Sequence, residues 1–551
     1  MTERKTPPMN RNPSNRRSGL IKCLTAGLAT LALLATAACG GAEGSQNAAS
    51  SQSDSGSLVV DSSFDLITMD PARSFETSTV MMLRATYQSA LKFVDNDMNS
   101  PQPEVCKYKM SADNKVVTLT LNGDHYFADG KKVTVDDIVY SYQRVQSIKG
   151  NPSFYLDGVT VAKVNDTTLT LTSETANPSI PYILPSVNLG IVEKSVVEAN
   201  GGKLSENDGA ESYLNKNSVG SGPYQFDSVS MDSKVVLKRN PKYVGEKPKY
   251  DKIIINNVDS STQLTNIKAG TTDVAMDINN DEAQQLTSSE AHVSSGPSGS
   301  TTFLWFNADS QYGGKASNTK FVSAVRHALS YDKYIKVYGK GSVQAFGIVP
   351  NSFLGALSSS SENKKNLKTA KTELAASGYN GEEIQFLYSS DDDEATQVAQ
   401  LFQSDMKELG VNIKLVGQPT TTRLDTFRSG KFQAGLSTWG ADYPDPSDYL
   451  VFTPDQNISK RTGWYTTSGA AASNGWKASE SADDIMPLVE AAQSASGNDA
   501  RAKAWQKLQE SLNKQSPFVP LVTQGTSIVT STKLSDVQYD LLNNIDFTVI
   551  H

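Results

Sequence analysis

The segment Ser437–Leu450 reads STWGADYPDPSDYL and sets three carboxylates, Asp442, Asp445 and Asp448, among Trp439, Tyr443 and Tyr449. Pro444 and Pro446 fix φ and remove two backbone donors, so the stretch is a stiff turn, neither a helix nor a central strand. An acid in such a place can cap a turn or helix start, or it can hold a cation against apolar walls. Asp445 and Asp448 fit turn and helix-start positions. For Asp442 the local sequence leaves both roles open, and Trp439 fits a core as well as a cleft wall. A metal site from the three Asp lacks EF-hand spacing and its glycine, so no metal is expected.

Elsewhere the residue types argue against catalysis. After Cys39 the only histidines are His125, His292, His327 and His551, and no His-Glu-x-x-His, Gly-x-Ser-x-Gly or Walker loop occurs. Cys106 in PEVCKYKM has no evident base beside it. The acids Asp391 to Glu394 suit a helix N-terminus. Gly220 and Gly222 in VGSGPY fit a backbone turn without a phosphate role. No catalytic residue and no cofactor are expected.

The elements that must position the turn follow from periodicity. In VVTLTLNGDHYFADGKKVTVDDIVYSYQRV, Thr and Leu alternate from Val117 to Leu121 as a half-buried strand. Thr134 with Asp137 forms a capping-box pattern before the helical spacing of Ile138, Val139, Tyr142 and Val145. GVTVAKVNDTTLTLT reads as a hairpin about Asn165-Asp166. SSTQLTNIKAGTTDVAMDI reads as a helix with Ser261 at its N-cap and Gly270 past its end, then a strand Val274–Ile278. ATQVAQLFQSDMKELG, VNIKLV, TTRLDTFRSG and FQAGLSTW give helix, strand, helix and strand, the helices closed by Gly410 and Gly430. This rhythm implies mixed α/β with an open, largely parallel sheet. Ligands bind beyond the carboxyl ends of strands in such sheets, where the Asp442 turn lies.

The ends and the charge restrict the setting. Arg4, Lys5, Arg11, Arg16, Arg17 and Lys22 precede an apolar run from Leu24 to Ala38. That run is shorter than the roughly 20 residues a membrane span needs and matches a cleavable export signal over 1–38. TAACGG, with Ala37 and Ala38 before Cys39, resembles a bacterial lipobox, although Thr36 stands where Leu is usual. Cys39 is then the lipidated first mature residue. Residues 39–57 lack any large apolar side chain and are expected to form a flexible tether reaching about 20–25 Å. Without residues 1–38 the chain carries 45 basic and 58 acidic side chains, a net −13 that argues against nucleic acid. Cys106 is the only other mature cysteine, so no internal disulfide can form. The length suggests two or three lobes.

An ordered set of motifs resembles extracytoplasmic solute-binding proteins of ABC transporters, family 5, the oligopeptide- and dipeptide-binding type. The set is LITMDPARS, HYFADGKKVTVDDIVYSYQRV, VGSGPYQF, LKRNPKYVGEKPKYDKI, TTFLWFNADS, FVSAVRHALSYDKYI, ELGVNIKL and WGADYPDP, spread over Leu58 to His551. Tyr331-Asp332-Lys333 and His125-Tyr126-Phe127 depart slightly from the family's usual residues. The resemblance implies a two-lobed periplasmic-binding-protein type II-like fold with a hinge. Lobe I comprises 58–81, 192–302 and 522–551, with DFTVIH returning to it as a strand. An inserted α/β subdomain comprises 82–191, and lobe II 303–521, with crossings near Thr302 and Val522.

The resemblance further implies that Asp442 anchors a peptide's free α-amino group, with Trp439 and Tyr443 as pocket walls. Trp305 and Asn307, where the chain enters lobe II, are candidates either for the cleft or for packing at the hinge. The expected partners are a peptide ligand, ABC permease and ATPase subunits, and the membrane through the lipid anchor. A monomer on the outer face of the bacterial cytoplasmic membrane is expected. The alternatives are a receptor of the same fold for another solute, such as an oligosaccharide, and an extracellular adhesion or signalling protein.

Overall fold

Two long strands organise the molecule: Ala291–Phe306 and Phe518–Ser531 pair antiparallel along most of their length. Thr301 to Phe306 are all buried, which explains why TTFLWF is a continuous run without polar alternation. The register breaks between Pro297 and Thr301 and again between Thr302 and Phe303. The computed structural model describes residues 56–454, 474–477, 485–535 and 537–550. The export signal, Cys39, the tether up to residue 55 and His551 lie outside the described residues.

The two strands sit inside an 11-stranded sheet. On one side follow Ala434–Gly440, Glu383–Ser389 and Asn412–Gln418; on the other Val274–Ala275, Ser57–Ser62, Lys252–Asn257, Lys234–Arg239 and Tyr224–Ser230; Val343–Gln344 pairs with Phe518–Ser531 off this path. Mixed α/β is the observed class, but the sheet is not largely parallel. Parallel pairing is confined to 383–440 and to the neighbours of Ser57–Ser62, while the long strands pair antiparallel. The local helix–strand rhythm reports only the crossovers between 383 and 440. Pairings between distant segments leave no such trace.

A separate four-stranded antiparallel sheet joins Cys106–Met110, Val116–Leu121, Thr168–Ser173 and Val159–Asn165. The helix Val135–Ile148 packs on it through Ile138, Tyr142 and Val145, against Val117, Leu119, Leu169 and Leu171. Thr134 and Asp137 form the capping box that their spacing predicts. Cys106 is buried in this core, and burial pushes its thiol up to about 12.

The helix Asp393–Leu409 starts from Asp392, whose carboxylate accepts the Ala395 N–H at 2.8 Å, and stops at Gly410 with φ +96°. The helix Ser260–Ala269 is capped by Asp259, not Ser261. The Asp259 carboxylate accepts the Thr262 N–H at 2.8 Å, and the Ser261 hydroxyl donates to that same carboxylate. Gly220 and Gly222 are required by close approach, since a side chain on either would collide with the backbone at Thr86. At the C-terminus no strand forms over 546–550. Phe547 and Ile550 are instead buried with Leu58, Val60, Ile253 and Ile255.

Candidate ligand-binding site

The strand Ala434–Gly440 delivers the chain into the turn that carries the three Asp. Asp445 and Asp448 are fully buried and hold the turn together. One Asp445 oxygen accepts the Ser447 N–H at 2.9 Å and the other accepts from Arg501 Nη2 at 2.6 Å. Asp448 accepts the Asp442 N–H at 3.0 Å, and the Asp442 carbonyl accepts the Tyr155 hydroxyl at 2.7 Å. Two acids therefore fix the backbone of the third. Tyr449 adds a tie by donating its hydroxyl to the Gly299 carbonyl at 3.0 Å. Burial, with Asp448 and Asp442 adding to it, pushes that phenol well above its ordinary value, so it stays a donor.

Asp442 lines a cavity of about 290 Å³, near the lower end of the roughly 300–1,000 Å³ usual for ligand pockets. Its walls come from distant parts of the chain: residues 74–80, Tyr155 with 186–188, 298–300 with 440–442, and 539–544. Among the described lining residues the charged side chains are Glu76 and Asp442, both acidic. Besides Thr79 and Tyr155, the lining offers the hydroxyls of Ser74, Thr77, Ser186, Ser298, Ser300 and Tyr539.

Glu76 is placed by a buried ion cluster in the preceding motif, MDPARS. Arg144 reaches from the helix Val135–Ile148 to both oxygens of Asp70 and to both oxygens of Asp208. Burial alone would lower the Arg144 pKa, but the two carboxylates raise it. Arg73 adds a second contact to each acid, at 3.5 and 3.3 Å. Asn188 donates to the Pro71 and Ser74 carbonyls at 3.0 and 2.6 Å, closing the loop just before Glu76.

The other residues singled out by sequence are placed elsewhere. Asn307 is 0 % exposed, donating to the Gly430 and Phe432 carbonyls at 2.8 and 2.7 Å and accepting the Asp309 N–H at 3.0 Å. It staples loop backbone inside the core and does not face the cavity. Trp305 is likewise a core residue, packed among Phe427, Phe452 and Phe518 with centroids 5.2–6.0 Å away. Trp439 is half-buried and meets Phe452 edge-on at 5.7 Å, outside the lining of the Asp442 cavity. Tyr443 packs edge-on against Tyr155 at 6.2 Å and lines a neighbouring cavity of about 270 Å³. Cys39 lies outside the described residues. Sequence reasoning missed Glu76 and Tyr155. Glu76 follows a motif quoted for resemblance, so its acid close behind Asp70-Pro71 was the available signal, whereas nothing local marks Tyr155.

Among the described residues no three His, Cys, Asp or Glu gather closely enough to hold a metal ion, and no helix is long and apolar enough to cross a membrane.

Residues 100–459 match the family model described as bacterial extracellular solute-binding proteins, family 5 Middle. The probable D,D-dipeptide-binding periplasmic protein DdpA of Escherichia coli is 24 % identical over 406 residues, 72 % of this chain and 77 % of that protein. The periplasmic oligopeptide-binding protein OppA of the same organism is 26 % identical over 463 residues, 76 % of this chain and 79 % of that protein. The crystal structure of the ABC transporter substrate-binding protein CtaP from Listeria monocytogenes superposes with a TM-score of 0.77 at 18 % identity, covering 90 % of this chain and 99 % of that one.

Proposed function

The chain belongs to the bacterial extracellular solute-binding proteins of family 5, and from that premise we propose that it captures peptides by their free amino end. The observation that carries the reading is the position of Asp442 on a cavity whose described charged lining is acidic throughout. An ammonium ion leaving water needs a negative partner and hydrogen bonds, and a carboxylate on a turn held by Asp445, Asp448 and Tyr155 supplies both at little ordering cost. The lining hydroxyls suit hydrogen bonds to a peptide backbone. The names of the two Escherichia coli relatives, which bind dipeptides and oligopeptides, support the same cargo.

In this reading lobe II is 303–521, lobe I comprises 58–81, 192–302 and 522–551, and 82–191 is inserted. The hinge lies where Ala291–Phe306 and Phe518–Ser531 lose register, and the ligand stabilises closure by touching both sides. Cys39 carries a lipid, residues 39–57 act as a leash, and the cargo passes to a permease whose partner subunits hydrolyse ATP. Native mass spectrometry of the purified chain tests the cargo. Co-purifying peptides are expected; an oligosaccharide in their place would overturn the peptide assignment.

A further inference from the structure

The four-stranded sheet and its flanking segments touch the far side of the Asp442 turn as well as the cavity. Tyr182 lies with its ring against the Arg501 guanidinium, 4.8 Å from centroid to Cζ. Arg501 is the residue that grips Asp445, and both are almost wholly buried. Its Nε and Nη1 have no hydrogen-bond acceptor among the described residues. A buried cation so poorly supplied with acceptors depends on whatever else faces it, and beyond Asp445 that is Tyr182, by its ring and by its hydroxyl.

Around this contact runs a seam of polar bonds. The Tyr182 hydroxyl donates to Asn498 Oδ1 at 2.8 Å, and Asn498 Nδ2 donates to the Asn99 carbonyl at 2.8 Å. Asn114 Nδ2 donates to the Ser494 carbonyl at 3.2 Å, and Ser496 Oγ donates to Asn114 Oδ1 at 3.2 Å. Residues 99, 114 and 182 belong to the segments around the small sheet; 494–501 spans the junction between the helices Met486–Ser494 and Asn498–Gln515. Neither side of the seam lines the Asp442 cavity.

We propose that Tyr182 and Arg501 are positioning residues for the ligand site, clasping the small-sheet subdomain to the turn that carries Asp442. The clasp holds Asp445 through Arg501, so the turn keeps its shape while the subdomain is docked. A ligand that needs the docked arrangement then binds with an affinity set partly by residues it never touches. The inference rests on the peptide-capture reading for its effect on affinity, but not for the clasp itself.

Two measurements on the full chain separate the two. Calorimetric titration with the tripeptide Lys-Ala-Ala reads affinity, and hydrogen exchange without peptide reads the seam. Tyr182→Ala is expected to weaken the tripeptide about tenfold, and Tyr182→Phe, which keeps the ring, about threefold. Exchange is expected to rise in Tyr182→Ala at 97–100, 111–115 and 494–500, with the four-stranded sheet itself still protected. Unchanged affinity together with unchanged exchange would overturn the clasp. So would exchange rising throughout the four-stranded sheet, which would make Tyr182 an ordinary core residue. If the wild type fails to bind the tripeptide, the peptide reading falls and the exchange result alone decides the clasp.

Discussion

Arg144 and Asp70 meet in a buried two-point ion pair, Nη1 to Oδ1 at 2.8 Å and Nη2 to Oδ2 at 2.6 Å, 74 residues apart in the chain. Asp208 completes the arrangement from a third segment. The pair anchors the loop that ends in Glu76, so part of the Asp442 cavity is held by a charge contact remote from it. Fork-to-fork geometry suits this task, because it fixes direction as well as distance.

Arg144→Met would leave two buried carboxylates with only the longer contacts to Arg73. Removing one partner of a buried pair costs about 3–5 kcal/mol, and a loss of that size in denaturant titration is expected. The pH dependence has a definite sign. Burial raises the Asp208 pKa, but Arg144 and the Lys203 N–H lower it more, leaving it below the ordinary carboxylate value. A carboxyl depressed in the folded state stabilises above its unfolded pKa of about 3.9, and this contribution is lost as pH falls further. The wild type should therefore weaken below about pH 4 more steeply than the variant.

Asn307→Ala separates a structural amide from a ligand contact. It removes the donor from the buried Phe432 carbonyl and the half-buried Gly430 carbonyl, at a cost of about 1–3 kcal/mol. Thermal stability should fall while tripeptide affinity changes less than about twofold. A large loss of affinity at unchanged stability would return Asn307 to the cleft.

Glu76→Gln keeps the shape of the side chain and removes one of the two described charges lining the cavity. Lys-Ala-Ala should bind several-fold more weakly, whereas Glu-Ala-Ala should be unaffected or improved. Calorimetry with the two peptides reads the difference, and unchanged affinity for both would deny Glu76 a charge role.

The Cys106 thiol, buried and raised to about 12, is expected to resist iodoacetamide at pH 8 in the native chain and to react in guanidinium. Peptide mapping by mass spectrometry distinguishes it from Cys23 and Cys39. Native labelling of Cys106 would mean that the small-sheet core opens readily.

What the sequence made legible was local. The capping box at Thr134, the stop at Gly410 and the turn roles of Asp445 and Asp448 depend on near neighbours, and each could be read from spacing. The family could be read because its motifs recur in order. The cavity could not, since Glu76, Tyr155, Ser300 and Tyr539 meet only through pairings between distant segments. For Trp305 and Asn307 the sequence left a cleft role and packing both open, for a related reason. Their residue types fit either place; the pairing of Ala291–Phe306 with strands on both sides buries Trp305, and the backbone at 430–433 closes over Asn307 just beyond that strand. Asp259 prevailed over Ser261 as a cap through a shift of two residues, which spacing alone does not resolve.

The most direct test combines one side chain with one chemical group. Calorimetric titration of the wild type and Asp442→Asn, each with Lys-Ala-Ala and with its Nα-acetylated form, isolates the contact between carboxylate and ammonium. Acetylation should cost the wild type about 30-fold or more in affinity and the variant almost nothing. A wild type that binds both peptides equally, or a variant that still prefers the free amine as strongly, would contradict the anchoring role of Asp442.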